Sequence, residues 1–212
     1  MIISSPEEFA AAVDAYRFVE LPLDAAAIRA PGLLFVGESH GVRENPDALY
    51  SLAVELGTRA VAFEWSHEEM QAPLDAFLRT GSFDFDGLWS LPPSAEFFCG
   101  DGRITTGHFA LLDRLRRENR LDQVIASDRL DPVPVPNDWQ VRDREMAERL
   151  LAEWDLRSPI LVLVGGDHAR LDATDGVTMA MVVARTYPDV QSVMLEYPRG
   201  SSKTADVPGP RP

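Results

Sequence analysis

Short apolar runs alternate along this chain with stretches whose apolar residues recur every three or four positions. Residues 33–36, 60–64, 123–127 and 160–164 are runs of the first kind and read as buried strands; residues 190–197 make a last one. The intervening stretches read as helices. Ser5-Pro6-Glu7-Glu8 is a capping box with proline at the first helical position, and Phe9, Val13 and Tyr16 follow on one face. Asn45-Pro46-Asp47 opens a helix with Leu49, Leu52, Ala53 and Leu56 as its stripe, and Gly57 stops it. Ser66 caps a third, with Glu68 and Glu69 in its first turn, Leu74, Phe77 and Leu78 facing the core, and Gly81 at its end; Pro73 is expected to kink or delay it. Thr106 caps a helix bearing Ala110, Leu111, Leu112 and Leu115. Asn137 caps one bearing Met146, Leu150 and Trp154, and residues 176–185 form the last.

The connections are less regular. Residues 19–30 read as a connector, and 129–136, with prolines 132, 134 and 136, as extended chain. Residues 82–104 show no period, which suits a lid or a pocket wall. Residues 198–212, rich in Pro, Gly and Ser, are expected to be a disordered tail. Strand–helix alternation throughout predicts one α/β domain over residues 1–197, with a mostly parallel central sheet and helices on both faces.

Charge and composition narrow the partners. With 34 acidic against 20 basic residues in 212, the formal net charge of −14 argues against nucleic acid or an anionic membrane as the main partner. The single cysteine, Cys99, excludes an internal disulfide. The N-terminus lacks a signal-peptide pattern, and no apolar stretch approaches the roughly 20 residues of a membrane span, so a cytoplasmic protein is expected.

Candidate chemistry sits at the strand ends. Glu38 and His40 follow the first strand, Glu64 ends the second, Asp128 follows the third, and Asp167 and His168 follow the fourth. In a parallel sheet these groups gather along the carboxyl edge, where open α/β sheets bind ligands. Two histidines and two glutamates supply a general base, its orienting partner and a potential shell for a divalent transition metal built from His40, His168, Glu38 and Glu64. Arg103 and Arg142 supply cationic donors for an oxyanion, although Arg142 equally suits a buried pair with Glu64 or Glu38. Simpler roles are expected for other residues: Asp128 in a strand-end turn, Asp143 as a favourable charge near a helix N-terminus, His67 and His108 on the surface, and Arg114, Arg116 and Arg117 on a solvated face. The spacing of Cys99 and His108 matches no cysteine-enzyme signature.

The ordered set Gly37-Glu38-Ser39-His40, a strand ending in Glu64, Arg142-Asp143 with Met146-Ala147, and Gly165-Gly166-Asp167-His168-Ala169 resembles the erythromycin esterase/ChaN/Tiki superfamily over about residues 30–197. The resemblance implies a compact α/β core with its pocket at the motif edge. It implies His40 as general base, Glu38 and Glu64 as the carboxylates that orient it or polarise water, and His168, Arg142 and, through Asp101-Gly102-Arg103, Arg103 as pocket residues. It is compatible with a homodimer. The chain is much shorter than the macrolide esterases, and with no lipobox-like cysteine near its start a ChaN-like lipid anchor is not expected. The expected activity is hydrolysis of an ester, lactone or amide in a small-molecule or peptide substrate, metal-free or metal-assisted. The alternative is a ChaN-like haem or small-ligand carrier, with an apolar pocket lined by Trp89, Phe97 and Phe98. Haem ligation would then fall to Tyr16, Tyr50, Tyr187 or Tyr197, none of which sits in a motif.

Overall fold

A computed structural model describes residues 2–19, 21, 28, 32–129, 139–172, 176–197 and 206–209. Its centre is a five-stranded, all-parallel sheet made of β2 (Leu33–Glu38), β3 (Ala60–Ser66), β4 (Gln123–Asp128), β5 (Ile160–Gly165) and β6 (Gln191–Met194), in the order β4-β3-β5-β2-β6. Each inner strand is apolar on both faces because each face is covered. Leu34, Val36, Val61, Phe63, Leu161 and Leu163 enter one core, while Leu33, Phe35, Ala60, Ala62, Ile160 and Val162 enter the other.

The first core is covered by α1 (Pro6–Ala15), α2 (Asn45–Leu56), α3 (His67–Thr80), α4 (Phe85–Trp89) and α5 (Thr106–Arg117). The second lies under α6 (Trp139–Glu153) and α8 (Met179–Thr186), with the short α7 (Gly166–Ala169) directly after β5. The expected α/β class, with its parallel sheet between helical layers, is therefore what the chain adopts.

Local signals behave as their chemistry requires. Ser5 accepts from the Glu8 N–H, and Gly57 closes α2 at φ 63°. Pro73 sits inside α3, which runs on to Thr80. Thr105, one residue earlier than expected, caps α5 by accepting from the His108 N–H. The last strand, β6, is shorter than the run 190–197 and pairs with β2 at the sheet edge.

Within the irregular stretch 82–104, Trp89, Phe97 and Phe98 do not line an apolar pocket. They are buried in an aromatic cluster around Phe9 and Phe109, with ring centroids 5.2 Å (Phe9–Trp89) and 5.4 Å (Phe9–Phe109) apart. The tail is not disordered throughout: β7 (Val207–Pro208) pairs with β1 (Ile2–Ile3), and Val207 is buried. Residues 198–205 and 210–212, the prolines at 132, 134 and 136, and the Asn137 cap lie outside the described residues. Among the described residues no helix is long and apolar enough to cross a membrane.

Candidate active site

Because β2, β3 and β5 run parallel, their carboxyl ends open onto one cavity of about 530 Å³. Glu38, His40, Glu64, Arg103, Arg142 and His168 line it, so all six candidate site residues come together. Trp139 and Asp167 stand at the same cavity.

His40 occupies the turn after β2. The turn is secured by two glycines in the left-handed region, Gly41 (φ 77°) and Gly102 (φ 94°). The Gly41 N–H donates to the Gly102 carbonyl at 3.2 Å, and a side chain on Gly102 would run into the Gly41 backbone. This close approach ties the Asp101–Arg103 loop to the His40 turn.

His40 Nδ1 lies 2.8 Å from Glu38 Oε1, and its Nε2 lies 3.8 Å from Glu64 Oε2. Burial opposes the imidazolium, but the Glu38 bond and the charges of Glu64 and Glu38 outweigh it, so the His40 pKa is raised above its ordinary 6.5. Burial pushes the Glu38 carboxyl up to about 7 against the opposing pull of His40. A Cβ on Gly165 would lie 3.3 Å from His40 Nε2 and 3.4 Å from Glu64 Oε2, so the bare Cα keeps the space between the two groups open.

Glu64 sits where the β3–β4 register shifts between Phe63 and Ser66. Its Oε2 accepts from the Gly165 N–H at 2.7 Å and its Oε1 from Arg142 Nη2 at 2.6 Å. Burial works against the carboxylate, but His168, Arg142, His40 and the Gly165 bond hold its pKa below the usual glutamate range.

A second histidine–carboxylate pair faces it. His168 Nδ1 lies 2.7 Å from Asp143 Oδ1, which also accepts from the Met179 N–H at 2.8 Å. Arg142 Nη1 stands 3.2 Å from His168 Nε2. A guanidinium only donates, so Nε2 is the acceptor and Nδ1 carries the proton towards Asp143. Arg142 also forks onto Asp128 through Nε (3.0 Å) and Nη2. Burial alone would lower its pKa, but Asp128 and Glu64 raise it further. Arg103 is shared among Asp101 (2.6 Å), Glu96 (2.9 Å), Glu64 (3.4 Å) and Asp128 (3.5 Å). Glu96, from the turn Glu96–Phe98, is pushed by burial up to about 7 despite Arg103.

Several simpler expectations give way. Asp128 is no free turn residue: it is 2% exposed and anchors Arg142. Asp143 orients His168. His108 is fully buried, edge-on to Phe63 and Trp65, and burial with the nearby His40 pulls its pKa down to about 3. His67 is only partly exposed and lies 3.2 Å from Glu153. Arg114 packs over the Tyr50 ring at 3.8 Å and Arg116 over Phe77 at 5.7 Å, leaving Arg117 as the solvated member of that run. Burial pushes the Cys99 thiol up to about 12, so it is no ready nucleophile.

Sequence reasoning missed Glu96, Trp139 and Asn45. Glu96 lies in a stretch without period, and the Asn45 amide contacts Glu38 from the next helix. Asp128 carried the same signal as Glu64, an acid ending an apolar strand. Among the described residues no group of three or more His, Cys, Asp or Glu is arranged to hold a metal ion. His40 and His168 each turn Nδ1 to a carboxylate, Glu38 and Asp143, and Nε2 toward Glu64, whose Oε1 also accepts from Arg142.

No family model matches the chain, and no curated protein matches it. Among solved structures, the fold is similar to a chain described as "Bacterial protein toxins" (TM-score 0.54, 14% identity, 95% of this chain and 40% of that one). It is also similar to RRSP, a MARTX toxin effector domain from Vibrio vulnificus CMCP6 (TM-score 0.50, 15% identity, 98% of this chain and 38% of that one). The chain thus spans about two fifths of the length of the structures it matches, and at these identities the likeness is one of fold.

Proposed function

We propose that this cleft hydrolyses an ester, lactone or amide bond, with His40 as the base that activates water. The observation that carries the reading is the pair of groups facing each other above Gly165. His40 Nε2 and Glu64 Oε2 stand 3.8 Å apart, too far for a mutual hydrogen bond, with nothing of Gly165 between them. A water held there donates one proton to Glu64 and loses the other to His40 as it attacks a carbonyl. Glu38 on Nδ1 holds the ring and stabilises the imidazolium that forms, which then protonates the leaving group. The guanidinium groups of Arg142 and Arg103 bring positive charge to the oxyanion. The motif resemblance to the erythromycin esterase/ChaN/Tiki superfamily supports the same assignment.

The charge of the cleft narrows the substrate. Both arginines are already shared among carboxylates, and Asp167 adds an exposed acid at the cavity. A small molecule or peptide that is neutral or cationic near the scissile bond fits better than an anionic one. The test is a panel of chromogenic esters, lactones and peptide amides. Turnover by the protein and its loss in both His40→Ala and Glu64→Gln are expected. Full turnover in folded His40→Ala would overturn the assignment.

A further inference from the structure

The back of the His40–Glu38 pair is held by residues far apart in the chain. Asn45, the first residue of α2, is fully buried. Its Nδ2 donates to Glu38 Oε2 and, at 3.0 Å, to the Ser39 carbonyl. Its Oδ1 accepts from the hydroxyl of Tyr197. Tyr197 arrives there because the chain stays on the sheet past β6: the Leu195 N–H donates to the Gly37 carbonyl at 2.8 Å.

We propose that Tyr197 and Asn45 are positioning residues for His40, fixing the oxygen of Glu38 that the imidazole uses and so the nitrogen left free for the substrate. The reasoning is one of donors and acceptors. An amide can sit either way round in the same space, and only its partners decide. Ionised Glu38 and the Ser39 carbonyl can only accept, so both need the amide NH₂. That leaves the amide oxygen as the acceptor for the Tyr197 hydroxyl, which donates to it. All three contacts agree on one orientation, and turning the amide over would set its oxygen against two acceptors. With Oε2 of Glu38 taken by Asn45, Oε1 is left for His40 Nδ1–H. That directs the Nε2 lone pair to the gap above Gly165.

Burial disfavours the tyrosinate, and the neighbouring Glu38 and Glu44 charges act the same way, so Tyr197 remains a donor across the working pH range. The charged and titratable groups facing His40 are Glu38 from β2, Glu64 from β3, Asp101 from the glycine-bounded loop and His108 from α5. None of them duplicates the Asn45 contact to Glu38.

This inference rests on His40 being the base, but its test does not depend on turnover alone. Tyr197→Phe keeps the ring and removes the hydroxyl; Asn45→Asp replaces the donor with an acceptor. The direct readout is the ¹⁵N shift pair of the His40 imidazole at pH 9, assigned by its loss in His40→Ala. The wild type should show the Nδ1–H form. Both variants should move toward an averaged tautomer mixture. For any ester the protein turns over, kcat should fall about 10- to 100-fold with KM little changed. Unchanged His40 shifts in folded Tyr197→Phe would overturn the proposal, and that variant decides alone if Asn45→Asp does not fold. Shifted ¹⁵N signals without turnover on any substrate would keep the positioning role and remove the hydrolase reading.

Discussion

Replacing Gly165 by alanine puts a methyl group where the attacking water is proposed to stand. The backbone there has φ −54° and ψ 145°, ordinary for alanine, so the substitution carries no conformational strain. The N–H bond to Glu64 survives it. Relative to glycine, alanine at such a position stabilises a fold by about 0.4–1 kcal/mol through the unfolded chain. The new Cβ, 3.3 Å from His40 Nε2 and 3.4 Å from Glu64 Oε2, takes back some of that gain by pressing both side chains aside. Stability should therefore change by less than about 1 kcal/mol in either direction. Activity should not escape. A methyl group fills the gap, and displacement of the reacting atoms by about 1 Å costs on the order of 100-fold in rate, or about 2.7 kcal/mol in the barrier. The assay pairs urea unfolding with initial rates on the best ester of the panel. Near-wild-type unfolding with a 100-fold loss of kcat is expected. Wild-type kcat in Gly165→Ala would show that no reacting water occupies that gap.

A proton-accepting His40 predicts that kcat/KM rises with pH through a midpoint above 6.5, since below it the ring is protonated; a rate profile on a non-ionising ester checks the direction. Glu38, raised from its ordinary 4.5 to about 7, binds a proton more tightly in the folded state than in the unfolded one. Its contribution to stability is therefore full below pH 4.5 and lost as pH rises to about 7, and Glu38→Gln should remove a stability change on the order of 3 kcal/mol over that window in urea titrations. Arg142→Met strands the buried Glu64 and Asp128 and should cost about 3 kcal/mol at pH 7.5, with part of the loss recovered at pH 4, where the stranded carboxyls can protonate.

Strands ending in acids or histidines were enough to place Glu38, His40, Glu64 and His168 on one edge, because a parallel sheet leaves those positions nowhere else to go. The role of Asp128 was not legible. An acid at a strand end caps a turn or anchors a cation depending on what the next helix brings, and Arg142 lies 14 residues further on. His108 looked like a surface residue because its type is usually polar-facing, yet α5 turns it toward Phe63 and Trp65. The aromatics of 82–104 have no period because they close on Phe9, in α1, rather than on a stripe of their own. Asn45 and Tyr197 stand 152 positions apart, and no local pattern announces a bond between them.

The two histidine–carboxylate pairs share one arrangement and differ in what meets the second ring nitrogen. Each histidine turns Nδ1 to an acid, Glu38 for His40 and Asp143 for His168, and each turns Nε2 toward Glu64. The difference is Arg142, whose Nη1 lies 3.2 Å from His168 Nε2 and occupies its lone pair. Among the described residues no such donor meets His40 Nε2, which faces Glu64 across the Gly165 gap. Among the described residues, then, it is the His40 ring whose lone pair is available to substrate. His168 instead buttresses the guanidinium that holds Glu64 and Asp128. The division of labour follows from where one arginine points: His168→Ala should act through the placement of Arg142 and Glu64, whereas His40→Ala removes the group that takes the proton.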